Sequence, residues 1–328
     1  MKLLVTGGLG FIGSNFILNT LEKYPEYKII NVDAELYGSN HKSLDALKNN
    51  FNYSFVKGNI TNKKLMEKLI SDSDIVINFA AESFVDRSIL NANPFLVSNI
   101  RGTYTILDII KTQKKKLIQI STDEVFGSLP TGTADESFKL NPSNPYAATK
   151  ASAELLVNSY NLTYDTDCII TRCTNNYGPM QFPEKLIPKT IILAHAGQKI
   201  PVYGTGENIR DWIFVRDHCD AILTIMQKGR SHQSYNISAQ NEISNLEIIE
   251  KILTKMNCTN NLIEFVEDRP GHDQRYSLDS SKVKNELNWS VNRDFDNGLQ
   301  EAIDWYLNNK DWWNTIPSKI YSATPWKN

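Results

Sequence analysis

The sequence has few cysteines and no pattern of metal ligands among them. Its 328 residues contain four, namely Cys168, Cys173, Cys219 and Cys258, and none belongs to a C-x-x-C pair. No histidine cluster supplies the spacing of a zinc site either. We therefore predict free thiols in a reducing compartment and no bound metal.

Long hydrophobic runs and a strong net charge are also missing. No apolar run approaches the roughly 20 residues that a membrane-spanning helix needs, and the first one flows into glycines instead of a signal-peptide cleavage site. The 35 Lys and Arg and 37 Asp and Glu residues give a formal net charge of -2. Since no overall basic field attracts nucleic acid or an anionic membrane, we expect the protein to bind neither. The missing membrane span and cleavage site lead us to expect a cytoplasmic location.

Apolar, β-rich runs alternate with amphipathic stretches of helical length up to about Thr174. The predicted strands are Lys2–Thr6, Lys28–Val32, Tyr53–Lys57, Ile75–Phe79, Leu117–Ser121 and Cys168–Arg172. The predicted helices are Ser14–Lys23, Lys63–Ser71, Asn99–Thr112 and Ala147–Tyr160. This alternation predicts a Rossmann-type α/β fold, a doubly wound parallel sheet whose strands are buried on both faces.

The pattern changes after Thr174, where frequent prolines and glycines predict irregular, loop-rich structure. A helix near Arg216–Lys228 and a strand near Tyr235–Ile237 are predicted to return to the first domain. We therefore predict a larger domain and a smaller, mixed α/β domain. Their boundaries are 1–173 plus about 212–237 for the larger and about 174–211 plus 238–328 for the smaller. Aromatic residues near the carboxyl end are expected to pack in a core; they are Trp305, Tyr306, Trp312 and Trp313.

Gly7, Gly10 and Gly13 have the G-x-x-G-x-x-G spacing between the first strand and the first helix. Such a turn needs residues without a Cβ, because the backbone must approach a pyrophosphate and the helix must pack tightly on the strand. The helix N-terminus then offers unpaired N–H groups to the phosphates. At the start of a βαβ unit, the motif predicts a dinucleotide site in the larger domain.

Asp33 ends the second strand, twenty residues beyond Gly13. A carboxylate there accepts hydrogen bonds from a ribose 2′,3′-diol and repels a 2′-phosphate, and no arginine follows it closely. The sequence therefore favours NAD over NADP. The alternative is that Asp33 only caps a loop.

Tyr146 and Lys150 are four residues apart on a predicted helix and therefore share one face. An ammonium beside a phenol stabilises the phenolate, so we expect Lys150 to lower the pKa of Tyr146 toward neutrality. Tyr146 would then accept an alcohol proton while a hydride leaves to NAD. The pair follows Ser121–Glu124, a polar segment at the carboxyl end of a strand, where ligands bind in open α/β sheets.

These motifs together resemble the extended short-chain dehydrogenase/reductase family, and within it the dTDP-glucose and UDP-glucose 4,6-dehydratases. The similar segments extend along nearly the whole chain. They are TGGLGFIGSNF, AAESFVDRSI, STDEVFG, NPYAATKASAE, RCTNNYGPMQFPEKLIP, VYGTGENIRDWIFVRDH and RPGHDQRYSLD. The resemblance implies NAD-dependent removal of water from a nucleoside-diphosphate glucose, which leaves a 4-keto-6-deoxy sugar.

The resemblance also implies roles for Thr122, Asp123 and Glu124. Thr122 would hydrogen-bond the C4 oxygen and help Tyr146, Asp123 would protonate the departing C6 hydroxyl, and Glu124 would take the C5 proton. Oxidation at C4 acidifies that proton, water is eliminated across C5–C6, and the hydride returns to C6. Asp123 must stay protonated, which burial or the Glu124 charge would favour. The alternative for the triplet is a strand-end cap.

Further residues are assigned to the two ligands by the same resemblance. Those expected at NAD are Gly7, Gly10, Phe11, Ile12, Gly13, Asp33, Tyr37, Asn59, Ile60, Ala80, Tyr146, Lys150 and Cys173. Those expected at the nucleotide sugar are Ser83, Asn176, Glu184, Lys185, Leu186, Pro201, Tyr203, Arg210, Asn245, Arg269 and His272.

The pyrophosphate of the substrate needs cations. Arg210 and Arg269, with Lys185 nearby, are expected to supply them, since arginine binds phosphate oxygens bidentately. Arg210 has an alternative role in a salt bridge with Asp211 or Asp217.

Two residues depart from the family pattern. Phe84 stands where many relatives have His, and Asn59 stands where relatives usually have Asp. The Asn59 amide can still donate and accept hydrogen bonds, whereas Phe84 removes a polar group near the cofactor. Two further assignments have structural alternatives, because His272 could be a plain loop residue and Asn175 and Asn176 could belong to a turn.

Two other functions stay open from the sequence. A nucleotide-sugar epimerase or decarboxylase would share the fold and the Tyr146–Lys150 pair, but the adjacent acids Asp123 and Glu124 favour dehydration. An NAD-sensing binding protein would need no intact catalytic set. The resemblance covers thymidine and uridine nucleotides, with a slight preference for dTDP-glucose. It also implies a homodimer, with the helices Asn99–Thr112 and Ala147–Tyr160 at the interface, and rhamnose as a usual destination of the product.

Overall fold

The computed structural model describes residues 1–321 and 324–327. Its strands are β1 Lys2–Thr6, β2 Lys28–Asp33, β3 Tyr53–Lys57, β4 Ile75–Asn78, β5 Lys116–Thr122, β6 Cys168–Cys173, β7 Asn175–Tyr177, β8 Ile200–Tyr203, β9 Ile209–Phe214, β10 Ser234–Ile237, β11 Glu242–Ser244 and β12 Ile263–Val266. Seven of these form a parallel sheet in the order β10-β6-β5-β4-β1-β2-β3.

Helices connect the strands of this sheet and continue to the carboxyl end. They are α1 Phe11–Lys23, α2 Lys63–Ser71, α3 Val85–Leu90, α4 Asn93–Phe95, α5 Thr103–Gln113, α6 Pro145–Tyr164, α7 Leu186–His195, α8 Val215–Lys228, α9 Asn245–Lys255, α10 Ser281–Leu287, α11 Phe295–Asn308 and α12 Lys310–Trp313. None of the helices in the described part of the chain is long and apolar enough to cross a membrane.

The large sheet is buried on both faces because successive side chains of a strand point to opposite sides. In β1, Leu3 and Val5 join the core beneath α1 and α8, whereas Leu4 joins the core beneath α2, α5 and α6. Side chains on both faces of the sheet therefore pack in an apolar core, which explains the continuous hydrophobic runs of the sequence. The predicted doubly wound Rossmann-type fold is confirmed.

The segment predicted to be irregular after Thr174 is more regular than expected. It contains β7, the ten-residue helix α7 and β8. Pro188 lies in the first turn of α7, where a missing N–H breaks no helical hydrogen bond. The small strands form a three-stranded sheet, β11-β9-β7, and a two-stranded sheet, β12-β8. The prediction of irregular structure therefore holds for the loop 178–185, which contains Pro179 and Pro183, but was wrong for α7 and β8.

Other predicted elements differ in their bounds. The helix expected from Asn99 begins earlier, since a π-helical segment, Leu96–Gly102, leads directly into α5. Two short strands, β11 and β12, follow residue 241. Tyr306 and Trp312 are buried in the core of the smaller sheets, and Trp305 and Trp313 pack against it, as predicted.

The packing of the carboxyl half links the predicted domains. α8 packs on the large sheet and β10 forms its edge strand, but Val283, Leu287 and Trp289 also belong to the core of that sheet. β9 pairs with β7 and β11, so residues 212–214 lie in a small sheet. The domain boundaries stay a prediction; Ser322, Ala323 and Asn328, which fall in the predicted smaller domain, lie outside the described residues.

Candidate active site

A cleft runs along the carboxyl ends of the large sheet, and the glycine motif forms one wall of it. Gly7 has φ +70, and a Cβ there would lie 2.7 Å from the Ala80 backbone. A Cβ on Gly13 would lie 2.5 Å from the Gly7 carbonyl oxygen. These contacts leave no room for side chains, so the turn brings bare backbone and the N-terminus of α1 to the cleft. Such a cradle fits the pyrophosphate of a dinucleotide.

Asp33 faces this cleft from the end of β2. Its carboxylate accepts hydrogen bonds from the Leu9 N–H at 3.0 Å and the Glu35 N–H at 2.7 Å. Burial raises the pKa of Asp33, and the two backbone hydrogen bonds partly oppose that effect. Each carboxylate oxygen can accept a second hydrogen bond, so Asp33 both holds the glycine turn and can bind a diol.

All residues predicted to bind NAD line this one cleft. They are Gly7, Gly10, Phe11, Ile12, Gly13, Asp33, Tyr37, Asn59, Ile60, Ala80, Tyr146, Lys150 and Cys173. The side-chain oxygen of Asn59 accepts hydrogen bonds from the N–H and the hydroxyl of Thr61, at 2.9 and 2.8 Å. The described residues therefore form a continuous surface for a dinucleotide, in agreement with the prediction of NAD.

Thr122, the last residue of β5, caps a short 3-10 helix at Asp123–Phe126. Its hydroxyl donates to one carboxylate oxygen of Asp123 at 2.9 Å. The other oxygen, Oδ2, is buried and has no partner among the described residues. Burial and then the Glu124 charge raise the pKa of Asp123 to about 8, so this carboxyl group is protonated at neutral pH. A raised pKa is compatible with the role of proton donor that was predicted for Asp123, which stays a prediction.

Glu124 follows on the same 3-10 helix and lines both the cofactor cleft and a second pocket beside it. Its carboxylate accepts a hydrogen bond from the Asn144 amide at 3.2 Å. The Glu124 charge also raises the pKa of Tyr146, which places the three groups in one electrostatic neighbourhood. The Thr122 hydroxyl accepts the Glu124 N–H at 3.3 Å, so Thr122 caps the strand end as the alternative interpretation had it, but Thr122 and Glu124 also face the cleft.

Tyr146 and Lys150 lie in the first two turns of α6 and are buried against the sheet. The Lys150 ammonium donates to the Ile120 carbonyl at 2.6 Å. Burial and then the Glu124 charge raise the pKa of Tyr146 well above its ordinary value, and the hydrogen bond with the Thr122 hydroxyl opposes this less strongly. The predicted shift toward neutrality is therefore wrong for the protein alone, because desolvation dominates and Lys150 faces a carbonyl. Burial also lowers the pKa of Lys150, to about 8.

The second pocket is lined by most residues predicted to bind the nucleotide sugar. They are Glu184, Lys185, Leu186, Pro201, Tyr203, Arg210, Asn245, Arg269 and His272. Ser83 and Asn176 line the cofactor cleft instead, and Lys185 lines both. Four cations, Lys185, Lys189, Arg210 and Arg269, are gathered here. This concentration of positive charge fits a pyrophosphate.

Arg269 follows β12 and forms an ion pair with a residue of α3. Its guanidinium pairs with Asp86 at 3.1 Å, and its Nε is buried with no partner among the described residues. The Tyr203 hydroxyl donates to the same carboxylate at 3.4 Å. Arg269 therefore keeps one donor free for a ligand while Asp86 fixes its position.

Arg210 does not pair with Asp211 or Asp217, so that alternative is wrong. Its guanidinium donates to three backbone carbonyls, among them Asp273 at 2.9 Å, and lies 4.4 Å from the centre of the Tyr276 ring. Both acids instead accept hydrogen bonds from other partners. Burial lowers the pKa of Arg210, a desolvation that an anionic ligand would offset.

The alternatives for His272 and the asparagines have different outcomes. His272 bonds Asp268 at 2.6 Å, and burial with the charge of Arg269 lowers its pKa to about 4. Asn175 and Asn176 lie in β7 and not in a turn, because β7 pairs with β9 there. Asn176 donates to the Thr174 carbonyl at 3.0 Å and accepts from the buried His218 at 2.8 Å.

Several residues of the site were not predicted. Asn99, in the π-helical segment, bonds both the N–H and the carbonyl of Glu82 and donates to Thr149 at 2.9 Å. It thereby ties the loop after β4 to the helix that carries Tyr146. A π-helical turn often marks a functional site, but no sequence pattern predicts where such a turn will form.

An aromatic cluster between the two pockets was also missed. Phe84 packs edge-on against Tyr37 and Phe182, with ring centres 5.0 and 5.6 Å apart. The Tyr37 hydroxyl donates to Glu184, and the Lys185 ammonium lies 4.6 Å from the Phe84 ring centre. Phe84, where many relatives have a polar residue, therefore adds an apolar ring to the aromatic cluster that separates the two pockets.

Comparisons with known proteins agree with this geometry. A family model described as GDP-mannose 4,6 dehydratase matches residues 4–302. The chain is 46% identical to the low-salt glycan biosynthesis protein Agl12 of Haloferax volcanii, over 94% of this chain and 99% of that one. Among solved structures, dTDP-glucose 4,6-dehydratase from Bacillus anthracis, in complex with NAD, superposes with a TM-score of 0.92 at 45% identity, covering 97% and 100% of the two chains.

A second structure is similar over the same extent. DesIV, a dTDP-glucose 4,6-dehydratase from Streptomyces venezuelae with NAD and TYD bound, superposes with a TM-score of 0.95 at 39% identity, again covering 97% of this chain and 100% of that one. The resemblance inferred from the motifs is thereby confirmed. The chain belongs to the GDP-mannose 4,6 dehydratase family.

Proposed function

We propose that the chain is an NAD-dependent sugar-nucleotide 4,6-dehydratase that converts dTDP-glucose to dTDP-4-keto-6-deoxyglucose and water. The observation that carries this is the position of Asp123 and Glu124, which lie beside Tyr146 where the cofactor cleft meets a cation-rich pocket. The similar structures from Bacillus anthracis and Streptomyces venezuelae, both dTDP-glucose 4,6-dehydratases with NAD, support it.

Gly7, Gly13 and Asp33 would hold NAD in the cofactor cleft. A bound NAD would supply a reversible hydride acceptor for the exchange between C4 and C6, and its positive charge would favour the Tyr146 phenolate.

Tyr146 accepts the C4 hydroxyl proton, and Thr122 holds the C4 oxygen. Glu124 takes the C5 proton, which the C4 ketone has acidified, and returns a proton to C5 when C6 receives the hydride. Asp123, protonated at neutral pH, gives its proton to the C6 hydroxyl as water departs. Two adjacent acids therefore suit an elimination that needs a base and an acid together.

The cation-rich pocket is proposed to hold the nucleotide part of the substrate. Arg210 and Arg269 approach the pyrophosphate, with Lys185 beside them, and Tyr203 flanks the base. TYD bound to the Streptomyces venezuelae protein favours a thymidine nucleotide; UDP-glucose is the second candidate. An epimerase would leave the substrate mass unchanged and has no use for the Asp123 proton. The product belongs to the class that deoxyhexose pathways, such as rhamnose assembly, consume.

Product mass tests this function. The purified protein is incubated with dTDP-glucose and, in parallel, with UDP-glucose, each with and without added NAD. The proposal expects a product lighter by one water, formed faster from dTDP-glucose. An unchanged mass with inversion at C4 would identify an epimerase, and an unchanged substrate beside tight NAD binding would identify a binding protein.

Replacing Asp33 by Asn is expected to weaken NAD binding by about tenfold to 100-fold, the usual effect of losing a hydrogen bond to a charged group. The same change removes the charge that repels a 2′-phosphate, so NADP should bind relatively better. Calorimetric titration of the cofactor-free protein with both dinucleotides measures this. Equal losses for NAD and NADP would show that Asp33 only orders the loop through Leu9 and Glu35.

We further propose that two copies associate through α5 and α6. Exposed apolar side chains occur on and beside these helices; they are Leu96, Tyr104, Leu155, Leu162 and Tyr164. Leu155 and Leu162 are seven residues apart and share one face of α6.

The four free cysteines, three of them buried, are compatible with the cytoplasmic location that we propose.

Changing Leu155 and Leu162 together to Glu is expected to weaken self-association by at least about 100-fold, because charges would replace the apolar centre of the interface. The fold should persist, since these side chains are 60% and 87% exposed. Sedimentation velocity measures the change in mass. Phe265, on β12 and 59% exposed, gives the matched control: its change to Glu should leave the assembly intact. A wild-type monomer would contradict the proposal.

A further inference from the structure

Asn144 precedes the helix that carries Tyr146 and caps its first turn. Its side-chain oxygen accepts the Ala147 N–H at 2.9 Å, and its backbone is extended, with φ -136 and ψ 163. The residue is only 7% exposed. An asparagine in this position satisfies an N–H group that would otherwise stay unpaired in the first turn of α6.

The other end of the same side chain reaches the proposed base. The Asn144 Nδ2 donates to the Glu124 Oε2 at 3.2 Å, and no other side chain of the described residues donates to that carboxylate. One buried amide therefore joins the helix of Tyr146 to the turn of Glu124. An amide can do both because it carries a donor and an acceptor on separate atoms.

The surroundings of Glu124 make this hydrogen bond important for its charge. The charged and titratable groups that face Glu124 are Asp123, Tyr146, Lys185, Arg210, Arg269 and Tyr276. The cations among them are the groups proposed to bind the pyrophosphate, whose negative charge would offset their effect. A hydrogen bond donated by a neutral amide does not depend on those cations and persists after the substrate has bound.

We propose that Asn144 is a positioning residue that holds Glu124, in its charged form, toward C5 of the sugar. This inference rests on the proposed function, since it takes Glu124 as the base. Ser143, the preceding residue, has a different partner: its hydroxyl donates to Asp273, whose backbone carbonyl accepts from Arg210. Asn144 thus contacts the proposed base, whereas its neighbour Ser143 contacts Asp273, which binds Arg210.

Two substitutions separate the two roles of Asn144. Asn144→Asp keeps an equally good helix cap but replaces the donor with a second carboxylate, and Asn144→Gly removes the donor while it weakens the cap only slightly. We expect proton removal at C5 to slow by about tenfold in Asn144→Gly and by about 100-fold in Asn144→Asp, since a hydrogen bond and a like charge are at stake.

The readouts are the kinetic isotope effect of C5-deuterated dTDP-glucose and the acidic limb of the pH profile of kcat. Both variants should show a larger isotope effect, and the acidic limb should move to higher pH, furthest in Asn144→Asp. Ser143→Ala should raise KM and leave the isotope effect as in wild type. If Asn144 only caps the helix, Asn144→Asp will match wild type in both readouts, which would overturn the inference. Failure of the wild-type enzyme to release water would instead overturn the proposed function.

Discussion

Replacing Asp123 by Asn is expected to lower kcat for the loss of water by about 10²–10⁴-fold, the usual contribution of a general acid. The Asp123 carboxyl is buried, its Oδ2 has no partner among the described residues, and burial raises its pKa to about 8. Asn fills the same space and keeps the hydroxyl of Thr122 as a neighbour, but it has no proton to give. The C6 hydroxyl must then leave without protonation.

The steps before water loss should survive this change. Glu124 still removes the C5 proton, so the variant should exchange that position with deuterated solvent while it releases little product. Mass spectrometry of the recovered sugar nucleotide measures both. Asp135→Asn, at an exposed carboxylate, controls for the chemistry of the substitution. Water loss at the wild-type rate would exclude Asp123 as the acid.

The pH profile gives a second test of the same group. A general acid acts only while protonated, so kcat should fall as pH rises through about 8, the raised pKa of Asp123. Lys150, whose pKa burial lowers to about 8, loses its charge in the same window. The basic limb should therefore be steeper in wild type than in Asp123→Asn, where only Lys150 titrates. A limb of equal slope in both proteins would contradict the assignment.

Replacing Tyr146 by Phe is expected to lower kcat by about 10²–10⁴-fold through a different step. Without the hydroxyl, the C4 proton has no acceptor, so oxidation does not begin and C5 stays unacidified. Neither water loss nor solvent exchange at C5 should occur, in contrast to Asp123→Asn. The ring packs 6.3 Å from that of Phe95, and Phe preserves this contact.

Thermal unfolding controls for stability in this variant, and its midpoint should stay close to that of wild type. The same exchange experiment serves as the measurement, so the two variants can be compared side by side. Solvent exchange at C5 that persists in Tyr146→Phe would show that another group accepts the C4 proton.

The parts of the site that follow from local sequence were predictable. The spacing of Gly7, Gly10 and Gly13 predicts the turn after β1. The position of Asp33 beside that turn is predictable because β2 is the parallel neighbour of β1. Tyr146 and Lys150 share a face because four residues make about one helical turn. The doubly wound sheet followed from runs that are apolar on both faces.

The parts that depend on distant packing were not predictable in this way. The direction of the Tyr146 pKa shift depends on burial and on the contact of Lys150 with the Ile120 carbonyl, thirty residues away. The link between Asn144 and Glu124 spans twenty residues. Helix α7 was missed because its prolines and glycines lie at its ends, where a pattern of residue types cannot distinguish a first turn from a loop.

The most direct test of the account follows the hydrogens of the substrate. dTDP-glucose carrying deuterium at C4 is converted in ordinary water, and the position of the label in the product is read by NMR. The account predicts a product lighter by one water, with the deuterium at C6. Deuterium retained at C4, or a product of unchanged mass, would contradict the 4,6-dehydration that the arrangement of Asp123, Glu124 and Tyr146 supports.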